Sequence, residues 1–327
     1  MAPRCSICNH AVAINHRSIV CDGCSNWIHI KCGDVSAKQY DEYRLLEEFD
    51  WLCPKCETLP EPPGRNNMNP NDTGVVDLPC PVPIIAEETK LAFVELTNDI
   101  KKYRGLSIAH ININGLFPKL NQLKVLLEET LIDILAISET HLHSGISDDE
   151  VKIKNYELLR RDRINDAGWG GVLIYHKETL NGIEYETCVN DLEMLWIECT
   201  VKSQKILVSC LYQPPRDKAT FLDKFDQIIS LISDKRKNFI ILGDFNINLI
   251  GDVNSAVLQF NLLLKRHQLR NIIKEPTRIT ETSATQIDHI IVTKQCQPKI
   301  QNVHAIDPGL SDHHIIYCSV DILPIKN

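Results

Sequence analysis

The 327-residue sequence has no apolar run approaching the 18 or more residues that a membrane-spanning helix needs. Its start, Met1-Ala2-Pro3-Arg4-Cys5, carries no apolar h-region, which argues against a secretory leader. Positive charge is not in excess either. Lys and Arg number 35 against 43 Asp and Glu, a net charge of −8, so the chain does not coat nucleic acid by bulk charge. We find no internal repeat and no low-complexity tract. The balance of 43% hydrophobic and 24% charged residues is that of a folded protein and excludes wholesale disorder. A length of 327 residues suggests two domains at roughly 150 residues each. Against this background the 13 cysteines stand out.

Seven of them fall within the first 56 residues, and the other six (Cys80, Cys188, Cys199, Cys210, Cys296, Cys318) are scattered singly. An odd total without a leader argues against a disulfide framework and for metal ligands in a reducing compartment. The pattern is Cys5-x2-Cys8-x12-Cys21-x2-Cys24-x4-His29-x2-Cys32-x20-Cys53-x2-Cys56. A two-residue gap lets both members of a pair reach one tetrahedral ion, and eight soft ligands saturate two Zn²⁺ with no open position, so both sites are expected to be structural. The order of four Cys, one His and three Cys, with Trp51 two residues before Cys53, resembles a PHD finger. The resemblance implies cross-braced ligation: Cys5, Cys8, His29 and Cys32 on one ion, Cys21, Cys24, Cys53 and Cys56 on the other. It also implies a binding role toward a histone tail, another protein or nucleic acid. Trp27 occupies a position that methyl-lysine readers of that family use, but Ala11–Val20 offers no second aromatic, and packing explains Trp27 at least as well.

The chain falls into three parts: a cysteine-dense module over 1–57, a Pro-rich linker over 58–103, and a large domain over 104–327. The linker holds Pro60, Pro62, Pro63, Pro70, Pro79, Pro81 and Pro83, and its end, Glu87 to Tyr103, has the pattern of a short amphipathic helix. From Leu106, apolar segments alternate with helical ones. Expected strands are Leu106–Asn112, Ile134–Glu139, Gly171–His176, Leu195–Val201, Ile206–Tyr212, Phe239–Asn246, Ile287–Thr293 and Ile315–Ile322. Expected helices are Lys119–Leu131, Thr220–Ser233 and Ser255–His267. Runs such as Phe239-Ile240-Ile241-Leu242 are apolar on both faces, so the sheets should be covered on both sides.

Polar residues cluster where these strands end or begin: Asn112-Ile113-Asn114-Gly115, Ser138-Glu139-Thr140, Tyr212-Gln213-Pro214-Pro215, Gly243-Asp244-Phe245-Asn246, Gln286-Ile287-Asp288-His289 and Ser311-Asp312-His313-His314. Any one of them reads most simply as a cap or turn. Together they offer hard oxygen ligands for Mg²⁺, an orienting amide, and a histidine able to move protons near neutral pH. His141, His143, His289 and His314 nearby read as structural or solvated. Arg160, Arg161, Arg163 and Arg278 become nucleic-acid contacts only if the fold gathers them around the pocket.

These segments, over Leu106 to Ile322, resemble the endonuclease/exonuclease/phosphatase family, and within it the endonucleases of LINE-type non-LTR retrotransposons. Tyr212-x-Pro-Pro and Pro276-Thr277-Arg278 add to the likeness. The resemblance implies a small zinc-stabilised PHD-like module ahead of an α/β (α+β) four-layer DNase I-like sandwich. It implies a metal-dependent endonuclease in which Glu139, with Asn112 and Asp312, holds Mg²⁺ (or Mn²⁺). Asp244 would orient or deprotonate water, Asn246 would bond a phosphate oxygen, His313 positioned by Asp288 would stabilise or protonate the phosphorane, and Tyr212 would contact phosphate. The product would be a nick with a 3′-hydroxyl, the site of action the nucleus or a cytoplasmic retroelement particle, and no membrane would be involved. The sequence stops soon after the last strand, as expected of the front part, or of a domesticated or fragmentary copy, of a retroelement protein. Pro215 and Asn114 depart from the repair-type branch, which has Asn and Asp there. Two other readings remain open: a chromatin-binding protein with a catalytically silent sandwich, and another phosphoesterase of the same fold.

The acidic total is compatible with a DNA substrate. The charge is −5 over residues 1–103 and −3 over 104–327, and four acids of the second part belong to the expected site. Without those four the large domain is net basic by one.

Overall fold

A computed structural model of the chain describes residues 4–8, 10, 12, 17–21, 27–36, 38–40, 51–54, 87–103, 105–163, 169–187, 192–201, 203–215, 218–235, 238–280 and 282–321. The chain divides into two compact units, Met1–Cys80 and Pro81–Asn327. Cys24, Cys56, Cys80, Cys188, Arg236, Lys237 and linker residues 58–86 lie outside the described residues.

In the first unit, β1 (Ser18–Val20) and β2 (Trp27–His29) form an antiparallel pair, with Ser18 opposite His29 and Val20 opposite Trp27. Its core is small: Cys5, Val12, Cys21, Ile28 and Cys53 are buried, with Cys8, Cys32 and Trp51 packed on them. Trp51 lies so close to Gly33 that an added Cβ there would come 2.6 Å from the ring. A described core cluster in which three of five buried residues are thiols, with only Ile30 and Val35 as further buried aliphatics, offers little apolar burial to hold a fold.

The second unit begins with α1 (Glu87–Lys101), whose Phe93, Leu96 and Ile100 recur at helical spacing and are buried against the sheet behind them. The elements that follow are β3 (Leu106–Asn112), α2 (Leu120–Glu129), β4 (Ile134–Ser138), β5 (Tyr156–Arg161), β6 (Val172–Lys177), β7 (Ile183–Glu184), β8 (Glu193–Val201) and β9 (Gln204–Tyr212). Then come α3 (Lys218–Lys235), β10 (Phe239–Asp244), α4 (Ser255–Arg266), β11 (Leu269–Asn271), β12 (Arg278–Thr280), β13 (Ser283–Thr285), β14 (Asp288–Thr293), β15 (Ile300–Ile306) and β16 (Ile315–Val320).

They build two mixed six-stranded sheets, ordered β15-β16-β3-β4-β6-β5 and β11-β14-β10-β9-β8-β7. Among the described residues only β3–β4 and β9–β10 pair in parallel. Period-two alternation then fixes four layers. In β3, Ala109 and Ile111 face α1 and α2, while Leu106 and Ile108 face the other sheet. In the second sheet, Val208, Cys210, Ile240, Leu242, Ile290 and Val292 meet them, and Leu207, Leu211, Phe239, Ile241 and Ile291 turn out toward α3 and α4. Both faces of both sheets are therefore buried, as the runs apolar on both faces require.

All eight expected strands are present within one or two residues of their expected starts. β10 and β4 end at Asp244 and Ser138, short of the expected Asn246 and Glu139, whose left-handed φ values leave the ladder; β16 ends at Val320, and the expected end Ile322 lies outside the described residues. The strands not expected are β5, β7, β11, β12, β13 and β15. They are short or lie at sheet edges, where one side faces water and the apolar signature is lost. No helix among the described residues is long and apolar enough to cross a membrane.

Candidate active site

Strand register assembles most of the site. In the second sheet Asp244 stands opposite both Tyr212 of β9 and Asp288 of β14. In the first, Asn112 pairs with Ser138, which places Glu139 just past the strand end. Gly243 is required for the first of these alignments: a Cβ there would sit 2.1 Å from the Leu211 carbonyl oxygen. Asn114, Glu139, His141 and Asn246 all take left-handed φ values, 47°, 52°, 55° and 50°. Such conformations cost about 1–2 kcal/mol each outside glycine, and their concentration at one place marks a functional site.

The sandwich closes the constellation by one amide. Asn112 Nδ2 donates to Glu139 Oε1 at 3.0 Å and to Asp244 Oδ2 at 2.9 Å, so it links a carboxylate of each sheet. Its Oδ1 accepts from the Asn114 N–H at 3.1 Å. The amide expected to help hold a metal is thus given an orienting part. Glu139 Oε2 lies 3.4 Å from His141 Nε2. Burial alone would raise the Glu139 carboxyl, but the neighbouring His141, Tyr212 and Asn112 side chains outweigh it and bring it down to about 2. The pKa of the neighbouring Tyr212 is raised by burial and by the Glu139 charge. Asn246 Nδ2 donates to the Gln213 carbonyl at 2.8 Å, and its backbone N–H to Asp244 Oδ1 at 2.8 Å, so it braces Asp244 rather than presenting a free amide.

Asp288 is fully buried and holds His313 Nδ1 at 2.9 Å through Oδ2. The same oxygen accepts the Thr277 hydroxyl at 2.7 Å, and Thr277 Oγ1 in turn accepts the N–H groups of Ile287 and Asp288 at 3.1 and 3.0 Å. Burial pulls the His313 imidazole down, yet the charge and hydrogen bond of Asp288, with Asp244 and Asp312, carry it up to about 9. Burial and the neighbouring Asp288 charge push Asp244 up to about 8. Behind Asp288, His110 is completely buried and pushed down to about 4 by that burial, so its ring is neutral. Asp312 is lowered despite partial burial, because Arg278 grips its Oδ2 through Nε at 2.8 Å and Nη2 at 2.7 Å.

The structure therefore brings Asn112, Glu139, Tyr212, Asp244, Asn246, Asp288 and His313 into one connected network, with Asp312 beside it on the β12 side. Asp244, Asp288 and His313 have donor atoms all within 4.8 Å of one another. His110, Thr277 and His141 belong to the same network and had no decisive signal in the sequence. His141, read as structural or solvated, contacts Glu139 and packs at a tilt of 57° against the half-exposed Trp169, ring centroids 5.2 Å apart. The arginines considered for nucleic-acid contact are largely engaged within the chain: Arg160 with Asp148 and Asp162, Arg161 with Glu184, Arg163 with Glu193, and Arg278 with Asp312.

In the first unit, Cys5, Cys8, His29 and Cys32 converge to within 4.8 Å, and His29 turns Nδ1 toward them, 3.4 Å from Cys8 Sγ. Three thiols and an imidazole in that space fit a tetrahedral zinc. The Cys53 N–H donates to Cys21 Sγ at 3.1 Å, which brings together the described half of the other expected set.

Two mixed sheets face to face between helical layers, with this acid–histidine network at their strand ends, define a DNase I-like sandwich. The chain belongs to the endonuclease/exonuclease/phosphatase family, whose model matches residues 109–313, and residues 5–56 match the PHD-finger model. The cysteine cluster is accordingly that of a zinc-binding PHD finger. Among solved structures, the sandwich is similar to the endonuclease domain of TRAS1, a telomere-specific non-LTR retrotransposon, with 14% identity over 66% of this chain and 99% of that one at a TM-score of 0.54. It is similar to the AP endonuclease LMAP from Leishmania major, with 13% identity over 73% and 100% of the two chains at a TM-score of 0.60. It also resembles a 3′ phosphatase from Neisseria bound to a product DNA hairpin, with 17% identity over 66% and 100% at a TM-score of 0.56. At these identities the likeness is one of fold. No curated protein matches the chain.

Proposed function

We propose that residues 104–327 are a divalent-metal-dependent DNA endonuclease of non-LTR retrotransposon origin, which nicks its target in the nucleus and leaves a 3′-hydroxyl. In the same reading the PHD finger carries two structural zinc ions and tethers the enzyme to a histone tail, another protein or nucleic acid. The observation that carries the enzymatic part is the single network in which Asn112 joins Glu139 to Asp244 while Asp288 holds His313. Neighbours that include an AP endonuclease, a retrotransposon endonuclease domain and a DNA-bound 3′ phosphatase support DNA as the substrate.

The donor set fits a hard divalent cation. Glu139 is ionised and one-fifth exposed, and Asp312 is likewise held ionised, so two hard carboxylates are offered to the cation. When bound by Glu139 with Asp312 and Asn112, Mg²⁺ or Mn²⁺ would neutralise charge developing on the scissile phosphate. The chain's own residues do the rest. Asn112 keeps Glu139 and Asp244 in fixed orientation. Asp244, braced by Asn246, orients and deprotonates the attacking water. His313 enters the reaction charged, with Nδ1 taken by Asp288 and Nε2 left to stabilise or protonate oxygen at phosphorus.

Purified full-length chain should therefore nick supercoiled plasmid when Mg²⁺ is supplied, stop when EDTA is added, and leave ends that a DNA polymerase extends without repair. Cleavage of inositol or lipid phosphates with DNA left intact would assign another substrate, and failure to nick would leave only the binding role. Because His313 must carry its proton, the rate should fall as pH rises through about 9, the value to which Asp288 raises it. A kcat profile that is flat to pH 10 would remove His313 from the proton-carrying role.

A further inference from the structure

Two of the network's buried polar atoms that lack a hydrogen-bond partner face each other. Asp288 Oδ1 and His110 Nδ1 are both unsatisfied, and they lie 3.8 Å apart in a fully dry position. That is too long for a hydrogen bond. Each atom left so costs about 1–3 kcal/mol of desolvation, and a shift of less than about 1 Å would satisfy both; contacts of this kind tighten when a substrate is bound. The other ring nitrogen is already engaged, since His110 Nε2 lies 3.1 Å from Ser138 Oγ. A neutral imidazole has one donor and one acceptor. The hydroxyl of Ser138 can donate to Nε2, whereas an ionised carboxylate can only accept. The tautomer that serves both neighbours carries its proton on Nδ1.

We infer that His110 is a positioning residue for the Asp288–His313 pair, donating Nδ1–H to Asp288 Oδ1 while accepting the Ser138 hydroxyl at Nε2. Asp288 is then clamped on both oxygens, by Thr277 and His313 on Oδ2 and by His110 on Oδ1. A carboxylate held on one oxygen alone can swing about its Cβ–Cγ bond and take His313 with it, and the second clamp removes that freedom. The relay also ties β14 to the end of β4, because Ser138 is the residue before Glu139. The two sheets thereby hold their catalytic groups in one register twice, through Asn112 and through His110.

The inference rests on reading the large unit as a phosphodiester hydrolase, and its test has one arm that does not depend on activity. In full-length chain labelled with ¹⁵N-histidine, long-range ¹⁵N–¹H correlations should show His110 protonated at Nδ1; protonation at Nε2 overturns the inference whether or not the chain cleaves DNA. In plasmid nicking, His110→Leu should lower kcat by about 10–100-fold, the range for groups that orient a reacting residue, with KM unchanged. His110→Asn, whose amide N–H reaches the place of Nδ1–H, should recover most of that loss. His110→Gln, which reaches toward Ser138 instead, should stay as low as His110→Leu. Equal loss in the Asn and Gln variants at matched thermal stability would reduce His110 to a packing residue. An inactive wild-type chain would count against the hydrolase reading alone, and the tautomer would still decide the role of His110.

Discussion

Asp244→Ala and His313→Ala each lower Mg²⁺-dependent plasmid nicking by about two to four orders of magnitude, the range that a positioned acid or base contributes. The two act on the same event, one drawing a proton from water and the other meeting charge at phosphorus. The double variant should therefore be little slower than the worse single one. Stability should separate the two residues. Asp244 is buried beside Asp288, and its carboxyl is pushed up to about 8, which means that the fold resists the charge the reaction needs. Asp244→Asn removes that resisted charge at the cost of one hydrogen bond, since its NH2 cannot accept from Asn112 or Asn246, so its Tm should fall less than that of His313→Ala while nicking is lost. His313→Ala should lower Tm, because it leaves the ionised, fully buried Asp288 without its imidazolium. Unchanged nicking in either alanine variant would place the chemistry elsewhere. Equal loss of Tm in Asp244→Asn and His313→Ala would mean that Asp244 is a structural charge.

What could be read from sequence follows from where the signal lies. The strands that build the four layers are apolar on both faces, so Phe239–Asp244 or Ile134–Ser138 announce themselves. β15, with the sequence Ile-Gln-Asn-Val-His-Ala-Ile and only Asn302 buried, does not. The site residues at strand ends were legible for the complementary reason: a polar group directly after an apolar run has few other reasons to be there. His110 was not, because it stands inside such a run, two positions before Asn112, and a lone histidine there carries no sign of the carboxylate it will face. Thr277 reaches Asp288 only because the β12–β13 hairpin folds back beside β14, a contact between loops that no spacing encodes. His141 came to Glu139 through two left-handed residues, and backbone of that kind outside glycine leaves no compositional trace. Roles were harder to read than positions: whether Asn112 and Asn246 offer their amides to a ligand or to Asp244 is decided by distances of a few tenths of an ångström.

Removal of zinc from the full-length chain should unfold the finger and leave the sandwich standing. Among the described residues the finger's core cluster comprises Cys5, Val12, Cys21, Ile28 and Cys53 with Trp51 packed on it, and Ile30 and Val35 are the other buried aliphatics, so the apolar surface seen to close is small. At about 25 cal/mol per Å² such burial falls well short of the ordering entropy of some fifty residues. Metal binding at sites of this type supplies about 10–16 kcal/mol at neutral pH, which makes the finger's fold conditional on the ion. The large unit has three extensive apolar cores, and its buried cysteines form no metal-ligand group among the described residues, so it should be indifferent. Titration with a colorimetric chelator should release two zinc ions per chain. Limited proteolysis of the stripped chain should then cut within residues 5–56, with the sandwich's thermal transition unmoved. Cys8→Ser, which removes one donor from the cluster around His29, should halve the zinc content and expose the same segment. One zinc per wild-type chain would strike out the second site, and a finger that resists protease after complete zinc removal would show that its small core suffices. Plasmid nicking measured before and after stripping then separates the two roles: cleavage of naked DNA should survive, because every group in the catalytic network lies on the sandwich.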